Sequence, residues 1–320
     1  MNIRPRQAAD WPQIAELRNR SEPDWPVTTE KLQLWDAQRD PKYFYAEFVA
    51  ELEGRVVAVG KIEEDSFAYE PGKFWIGMIV HPDFRRRGIG TELYGFLLEQ
   101  LAPHRPRKLV ARVEEGQEAG LHFVHKHGFS EEWRRYNSRW SPEGFDFAPY
   151  KHLEQTLHAE GLEIKSLAEL DISDDILRQL WELDWILFQD VPMGVTFTKR
   201  TFEQWKKEET ETPDFVPEAV LIALDPQRKD PLTGPMVGYT QLSYVVEGGF
   251  WVINMTGVLR EYRGKKVAHN LKLRGMKLVA QRGGEIRTTN DPPNKVMYEM
   301  NLKLGFKPYP SWLRFAKKLD

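Results

Sequence analysis

The spacing of apolar and polar positions divides the chain into two similar runs of elements. Near the start, "NIRPR" has the make-up of a short strand, and "ADWPQIAELRNR" sets Ile14 and Leu17 at helical spacing behind Asp10, a candidate N-cap. "YAEFVAELEGRVVAVGKIEE" reads as two strands around a turn at Glu53 and Gly54, and "KFWIGMIV" as a third. In "TELYGFLLEQLA", Leu93, Phe96, Leu97 and Leu101 share one helical face; "KLVARV" predicts a strand and "EAGLHFVHKHGF" a short helix stopped at Gly128.

The same order then returns. "LEIKSLAELDISDDILRQLWELDWILF" is a strand followed by an amphipathic helix, and "AVLIAL", "MVGYTQLSYVV" and "WVINMTGV" are strands. "AHNLKLRGMKLVAQRGG" is a helix with a glycine stop, "EIRTTN" a strand and "NKVMYEMNLKLGF" a helix. Arg85 lies 43 positions before Gly128, and Arg263 lies 42 before Gly305. A repeat of this length predicts two similar domains rather than a solenoid. Each is expected to be a mixed α/β sheet with helices on both sides, over residues 1–150 and 151–320. "SPEGFDFAPYKHLEQTLHAEG" supplies a loop and a linking helix near residues 150–160.

A length of 320 residues suits two domains, each able to bury a core. Apolar residues are 41% and charged residues 29%, and no apolar run approaches the roughly 20 residues of a membrane helix. "MNIRPRQAAD" carries no apolar signal core, so a cytoplasmic protein without membrane contact is expected. The absence of cysteine removes disulfides, a thiol nucleophile and thiolate metal sites. Eight histidines show no paired metal spacing, and His122, His125 and His127 have no carboxylate in register, so no metal is expected. Net charge is −3, with 21 Lys and Arg against 24 Asp and Glu in residues 1–150, so neither half is a basic nucleic-acid surface in bulk.

The sharpest local charge is "HPDFRRRGIG", residues 81–90. A strand that enters a glycine-containing loop opening a helix aims several backbone N–H groups and the positive end of the helix dipole at one point, which suits phosphate. Gly88 and Gly90 let the backbone approach closely, and arginine adds charge-assisted hydrogen bonds. A P-loop fails because Gly90 is followed by Thr91 and Glu92, and a dinucleotide fingerprint fails at Leu93. Arg85, Gly88 and Gly90 satisfy the pattern R-x-x-G-x-G.

"VHPDFRRRGIGTELYGFLLEQL" resembles the pyrophosphate loop and following helix of the GCN5-related N-acetyltransferase (GNAT) family, and "FVHKHGF" resembles the end of that family's last conserved helix. The resemblance runs through both copies and implies two tandem acyl-CoA N-acyltransferase domains. The implied enzyme moves an acetyl group from acetyl-CoA to a primary amine by direct attack. It also implies that the loop of Arg85, Arg86, Arg87, Gly88, Ile89, Gly90 and Thr91 holds the coenzyme A pyrophosphate, with the arginines near the phosphates. The strand ending at Ile79 and Val80 would pair with the pantetheine arm.

In the second copy "REYRGKKVAHNL" aligns with "PDFRRRGIGTEL", so the corresponding set is Val258, Arg263, Gly264, Lys265, Lys266, Val267 and Ala268. Lys266 stands in the place of Gly88. Either its Cβ obstructs the backbone approach while its charge helps, or the loop shifts so that Gly264 supplies the freedom. By resemblance, Asn290 at a strand end and Asn294 at a helix start shape the pantetheine channel; their plain reading is a turn residue and a helix cap. Asn301 joins this set.

Many relatives place a tyrosine four residues before the Gly-Phe pair to protonate the leaving thiolate; here those positions are Val124 and Asn301. A thiol of pKa about 8.5 costs roughly 2 kcal/mol to leave ionised at pH 7, while an amine of pKa about 10.4 costs roughly 4 to 5 kcal/mol to deprotonate, so the base matters more than the acid. Tyr298 and His125 are substitutes for the acid. Glu63 and Glu64 are candidates for the base, with Glu247 in the second copy. The group Glu63, Glu64, Asp65 and Glu70 would attract a cationic amine, on a small molecule or a peptide. Two other readings compete: one copy only binds acetyl-CoA or packs as a structural module, or the arginines bind nucleic acid.

Overall fold

The computed structural model describes residues 1–319 and divides into two compact units. Unit 1 takes Met1–Arg134, Thr196–Thr198 and the chain from Trp312; unit 2 takes Arg135–Val195 and Lys199–Ser311.

In unit 1 the order is β1 (Asn2–Pro5), α1 (Trp11–Ser21), α2 (Thr29–Ala37), β2 (Tyr45–Leu52), β3 (Arg55–Glu63), β4 (Lys73–Val80), α3 (Ile89–Leu101), β5 (Lys108–Glu114), α4 (Glu118–Lys126) and the start of β6 (Ser130–Trp140). Strands β1 to β4 pair antiparallel in sequence order, and β4 runs parallel to β5. Two apolar clusters form on opposite sheet faces because side chains alternate along β3 and β4. Ile14, Leu17, Leu32, Val56 and Val59 lie on the α1–α2 face, and Ile62, Ile76, Leu93, Leu97 and Phe315 on the α3–α4 face. Gly60 leaves room for this packing, since a Cβ there would stand 2.8 Å from Leu97 Cδ1.

Unit 2 repeats the pattern with α5 (Lys151–Ala159), β7 (Glu163–Ser166), α6 (Asp174–Phe188), α7 (Phe202–Thr210), β8 (Val220–Leu224), β9 (Met236–Val245), β10 (Phe250–Val258), α8 (Val267–Arg282), β11 (Ile286–Asn290), α9 (Lys295–Lys303) and most of the first half of β12 (Lys307–Lys318). β7 to β10 pair antiparallel in sequence order, and β10 runs parallel to β11.

The domain division expected near residue 150 falls instead inside β6. Residues 136–140 of β6 pair antiparallel with β11, Tyr136 opposite Asn290 and Trp140 opposite Ile286. The strand beside β5 in unit 1 is the last one in the chain, with Trp312 opposite Glu114 and Lys318 opposite Lys108. An eleven-residue strand without Gly or Pro offers no local break where sequence patterning could place a boundary.

Asp10 precedes α1 as expected, but its side chain does not cap the helix. Its carboxylate accepts from both Nη atoms of Arg4 at 2.8 and 2.9 Å and from the Gln7 N–H at 2.7 Å. Among the described residues no helix is long and apolar enough to cross a membrane.

Candidate active site

In unit 1, β4 ends at Val80, a single 3-10 turn covers Pro82–Phe84, and α3 begins at Ile89. The four residues between change direction through two left-handed positions, Arg86 at φ +63° and Gly88 at φ +84°. Arg85 Nε donates to the Val80 carbonyl at 3.0 Å, which ties the loop to the strand end. Arg87 donates to the Asp83 carbonyl at 3.0 Å and lies 5.1 Å over the Phe84 ring. No side chain caps α3. The N–H groups of Thr91 and Glu92 both turn back to the Gly88 carbonyl at 3.0 Å, whereas among the described residues those from Arg86 to Gly90 have no hydrogen-bond partner. Among the described residues no carboxylate forms an ion pair with any of the three arginines. The loop therefore combines orphan donors, the positive end of a thirteen-residue helix and unneutralised cations.

The corresponding loop of unit 2 keeps the same backbone with its residues exchanged. Arg263 Nε donates to the Val258 carbonyl at 3.1 Å, and the left-handed positions are Gly264 at φ +83° and Lys266 at φ +62°. Of the two alternatives raised by Lys266, the loop does not shift: Lys266 itself takes the conformation of Gly88, at a cost of roughly 1 kcal/mol. The charges differ more. Asp190 at the end of α6 binds Arg260 and Arg263 at 2.5 Å each, and Lys265 pairs with Glu160 at 2.9 Å. These arginines hold the Asp190 carboxyl below its ordinary range, Arg260 most strongly.

Strands β4 and β5 pair only from Lys73 to Trp75, opposite Lys108 to Val110, although β4 continues to Val80 and β5 to Glu114. Beyond Trp75 they part, and a cavity of about 720 Å³ occupies the gap. Ile76, Met78, Val80 and Ile79 line it from both sheet faces, together with the Arg85–Thr91 loop, Tyr94 and Phe123. Its wall also includes Ser21 and Glu22 at the end of α1. Tyr94 is buried on α3 with its hydroxyl unpartnered, and burial pushes that hydroxyl up. β10 and β11 part in the same way after Val252 and Arg287.

At the position of Tyr94, the sixth residue of the helix, α8 carries Lys272. It is 3% exposed, its Nζ lies 5.9 Å over the Phe306 ring, and burial pushes it down to about 7. His269 is lowered by burial and by the neighbouring charges of Lys266, Lys303 and Lys272.

Other expected residues sit differently. Glu63 stands opposite Trp75, where β4 still pairs with β5, and forms ion pairs with Arg39 at 3.2 Å and with Lys61. Glu64 accepts from the Phe44 N–H at 2.9 Å, Asp65 from the Trp75 indole at 3.1 Å, and Glu70 pairs with Lys73 at 3.2 Å. The acidic group thus has internal partners, and none of its members lines the cavity. His125 packs edge-on against Phe315 at 5.2 Å, while Val124 and His122 reach the cavity wall. In unit 2, Tyr298 lies against Tyr136 at 5.2 Å. Asn301 donates to Asn290 at 2.8 Å and both are buried; that bond satisfies the Asn290 carbonyl, while the Asn301 side-chain oxygen is left without a partner among the described residues. Asn294 starts α9 without a side-chain cap, and Glu247 lies in the β9–β10 turn, at the opposite end of β10 from Val258. Ser21, Glu22, Tyr94 and Lys272 escaped sequence reading; the shared helix position of the last two was the available signal.

Residues 11–129 match the model of the acetyltransferase (GNAT) family. Over 99% of this chain and 98% of the other, the fold is similar to a tandem GNAT protein from the clavulanic acid biosynthesis pathway, at 19% identity and a TM-score of 0.76. It is similar also to a GCN5-related N-acetyltransferase from Sphaerobacter thermophilus, at 19% identity and a TM-score of 0.66 over 99% and 95% of the two chains. No curated protein matches. Unit 1 carries a GNAT-family acetyltransferase domain, and the chain as a whole has the fold of a tandem GNAT protein.

Proposed function

We propose that the chain is an acetyl-CoA-dependent N-acetyltransferase whose working site is in unit 1, and that unit 2 has lost turnover and serves as a packing or weak anion-binding module. The observation that carries this reading is the loop whose three arginines have no carboxylate partner, and whose N–H groups from Arg86 to Gly90 have no acceptor, among the described residues, opening onto the 720 Å³ cavity. In unit 2 the matching cations already have carboxylate partners.

The residues present fit the cofactor. The N–H groups from Arg86 to Gly90 would hold its pyrophosphate, with Arg86 and Arg87 adding positive charge. The edge of β4 released by β5, from Ile76 to Val80, leaves backbone groups for the amides of the pantetheine arm. When bound, acetyl-CoA supplies an activated thioester. Residues of unit 1 then orient the amine beside it and exclude water, and β4 backbone N–H groups steady the charge that develops on the carbonyl oxygen. A chain without cysteine fits direct attack and work in the cytoplasm.

Calorimetric titration with acetyl-CoA tests the assignment. One site is expected; Gly88→Asp should abolish it and Ala268→Asp should leave it intact. Two equal sites, or loss with Ala268→Asp alone, would contradict it.

A further inference from the structure

The cavity of unit 1 passes through the sheet. α3 and α4 pack on the face that holds Ile76 and Met78, whereas α1 packs on the opposite face, beside Ile79. Only a gap between β4 and β5 lets residues from both faces line one space, and Ser21 and Glu22 are what α1 contributes to it. The phosphate loop lies at the α3 end. The other end is where a second substrate can approach without crossing the first.

Glu22 is held by its backbone, and its side chain has one loose ionic contact. Its N–H donates to the Arg18 carbonyl at 2.7 Å and its carbonyl accepts from the Trp25 N–H at 3.0 Å, so the α1 C-cap fixes its position. Its carboxylate makes no hydrogen bond among the described residues, and its ionic neighbour, Arg18, is 3.9 Å away. Next to it, the Ser21 hydroxyl is out of solvent without a partner, a deficit that a hydrogen-bonding ligand would relieve. The carbonyl end of α1 adds a negative pole. The other carboxylate on the wall, Glu118, sits exposed at the start of α4, at the end of β5 near the phosphate loop. Glu63 and Glu64 are occupied by Arg39, Lys61 and the Phe44 N–H.

We infer that Glu22 receives the acceptor as an alkylammonium ion at the α1 end of the cavity and takes its proton, with Ser21 as a hydrogen-bonding neighbour. This rests on the acetyltransferase reading of unit 1. The ammonium gives one proton to the Glu22 carboxylate, and the amine nitrogen forms a bond to the acetyl carbon. The carbon–sulfur bond breaks, the sulfur leaves with the electron pair, and it takes the second nitrogen-bound proton. The amide keeps the last N–H, and Glu22 returns its proton to water, so one proton is released per turnover.

The test uses the full chain, a panel of alkylamines and diamines, and thiol release as readout, with acetyl-CoA affinity measured by calorimetry in each variant. For the best amine, Glu22→Gln should lower kcat/KM about 100-fold, with acetyl-CoA affinity within twofold of the parent. Glu22→Asp should retain more activity than Glu22→Gln, and Ser21→Ala should raise the amine KM more than it lowers kcat. Glu22→Gln within threefold of the parent, or Glu22→Asp no better than Glu22→Gln, overturns the role of Glu22. A parent chain that neither binds acetyl-CoA nor releases thiol overturns the reading beneath it.

Discussion

Asp190 and Arg263 are joined at 2.5 Å across 73 residues of sequence, and the same carboxylate holds Arg260. Arg263 is the counterpart of Arg85, which has no acidic partner among the described residues, so one carboxylate separates two loops of like backbone. Asp190→Asn should release both arginines. Because Arg260 and Arg263 are well exposed, the loss of stability should be about 1 kcal/mol or less. Affinity of unit 2 for a phosphate-bearing ligand should rise severalfold and fall with salt. Calorimetry with coenzyme A on a Gly88→Asp background, where unit 1 is blocked, measures it; no recovered binding would contradict the neutralisation argument.

Gly88 and Lys266 share a left-handed backbone, and nothing lies within 4 Å of a Cβ built on Gly88. The cost of Gly88→Ala is therefore backbone strain alone, about 1 kcal/mol, visible in chemical denaturation. Lys266→Gly should return a comparable amount to unit 2. Gly88→Ala should also weaken acetyl-CoA binding by at least tenfold if the loop amides cradle the pyrophosphate, because the new methyl group stands in the loop itself. Unchanged affinity would place the phosphates elsewhere.

Arg4 holds the Asp10 carboxyl below its ordinary range, so folding favours its ionised form. The stability this contributes is present above the unfolded value of about 3.9 and is lost as pH falls through the lower folded value. Asp10→Asn should destabilise unit 1 at pH 7 by roughly 1 to 3 kcal/mol and flatten the dependence of stability on pH below about 5. Urea denaturation at pH 7 and pH 3 checks both. Equal losses at the two values would mean that the Arg4 pair contributes nothing ionic.

Local pattern carried the order of most elements and both glycine-containing loops, because periods of 2 and 3.6 and the glycine stops are properties of short stretches; α2, α7, β6 and β12 were not read from it. Pairings over long separations left no such trace. β12 alternates buried Ser311, Leu313 and Phe315 and is recognisable as a strand, yet nothing in its residues says that Trp312 faces Glu114. The same limit hid the surroundings of Glu63: it ends β3 as expected, but its register opposite Trp75 and its pairing with Arg39 follow from packing. Glu22 looks like an ordinary helix-end glutamate until α1 is set across the gap between β4 and β5. Asp10 had the right place for a cap, and only the fold brought Arg4 to it.

Lys272 occupies in unit 2 the helix position that Tyr94 fills in unit 1, buried and without a carboxylate partner among the described residues, and burial pushes its ammonium down to about 7. The unfolded chain holds the same lysine near 10.4, so between those values it binds more protons than the native state, and stability rises with pH across that window. Below about 7 both states are charged and the full penalty applies. Lys272→Met keeps the volume and removes the charge; it should stabilise the protein at and below neutral pH by on the order of a few kcal/mol, and the gain should fade as pH approaches 10. Denaturation of parent and variant at pH 6.5, 8 and 9.5 measures the difference. A gain independent of pH would mean that the lysine stays charged, with a counter-ion or water reaching it. A gain that fades as described would mean that Lys272 is buried in its neutral form at alkaline pH, at the helix position where unit 1 has Tyr94.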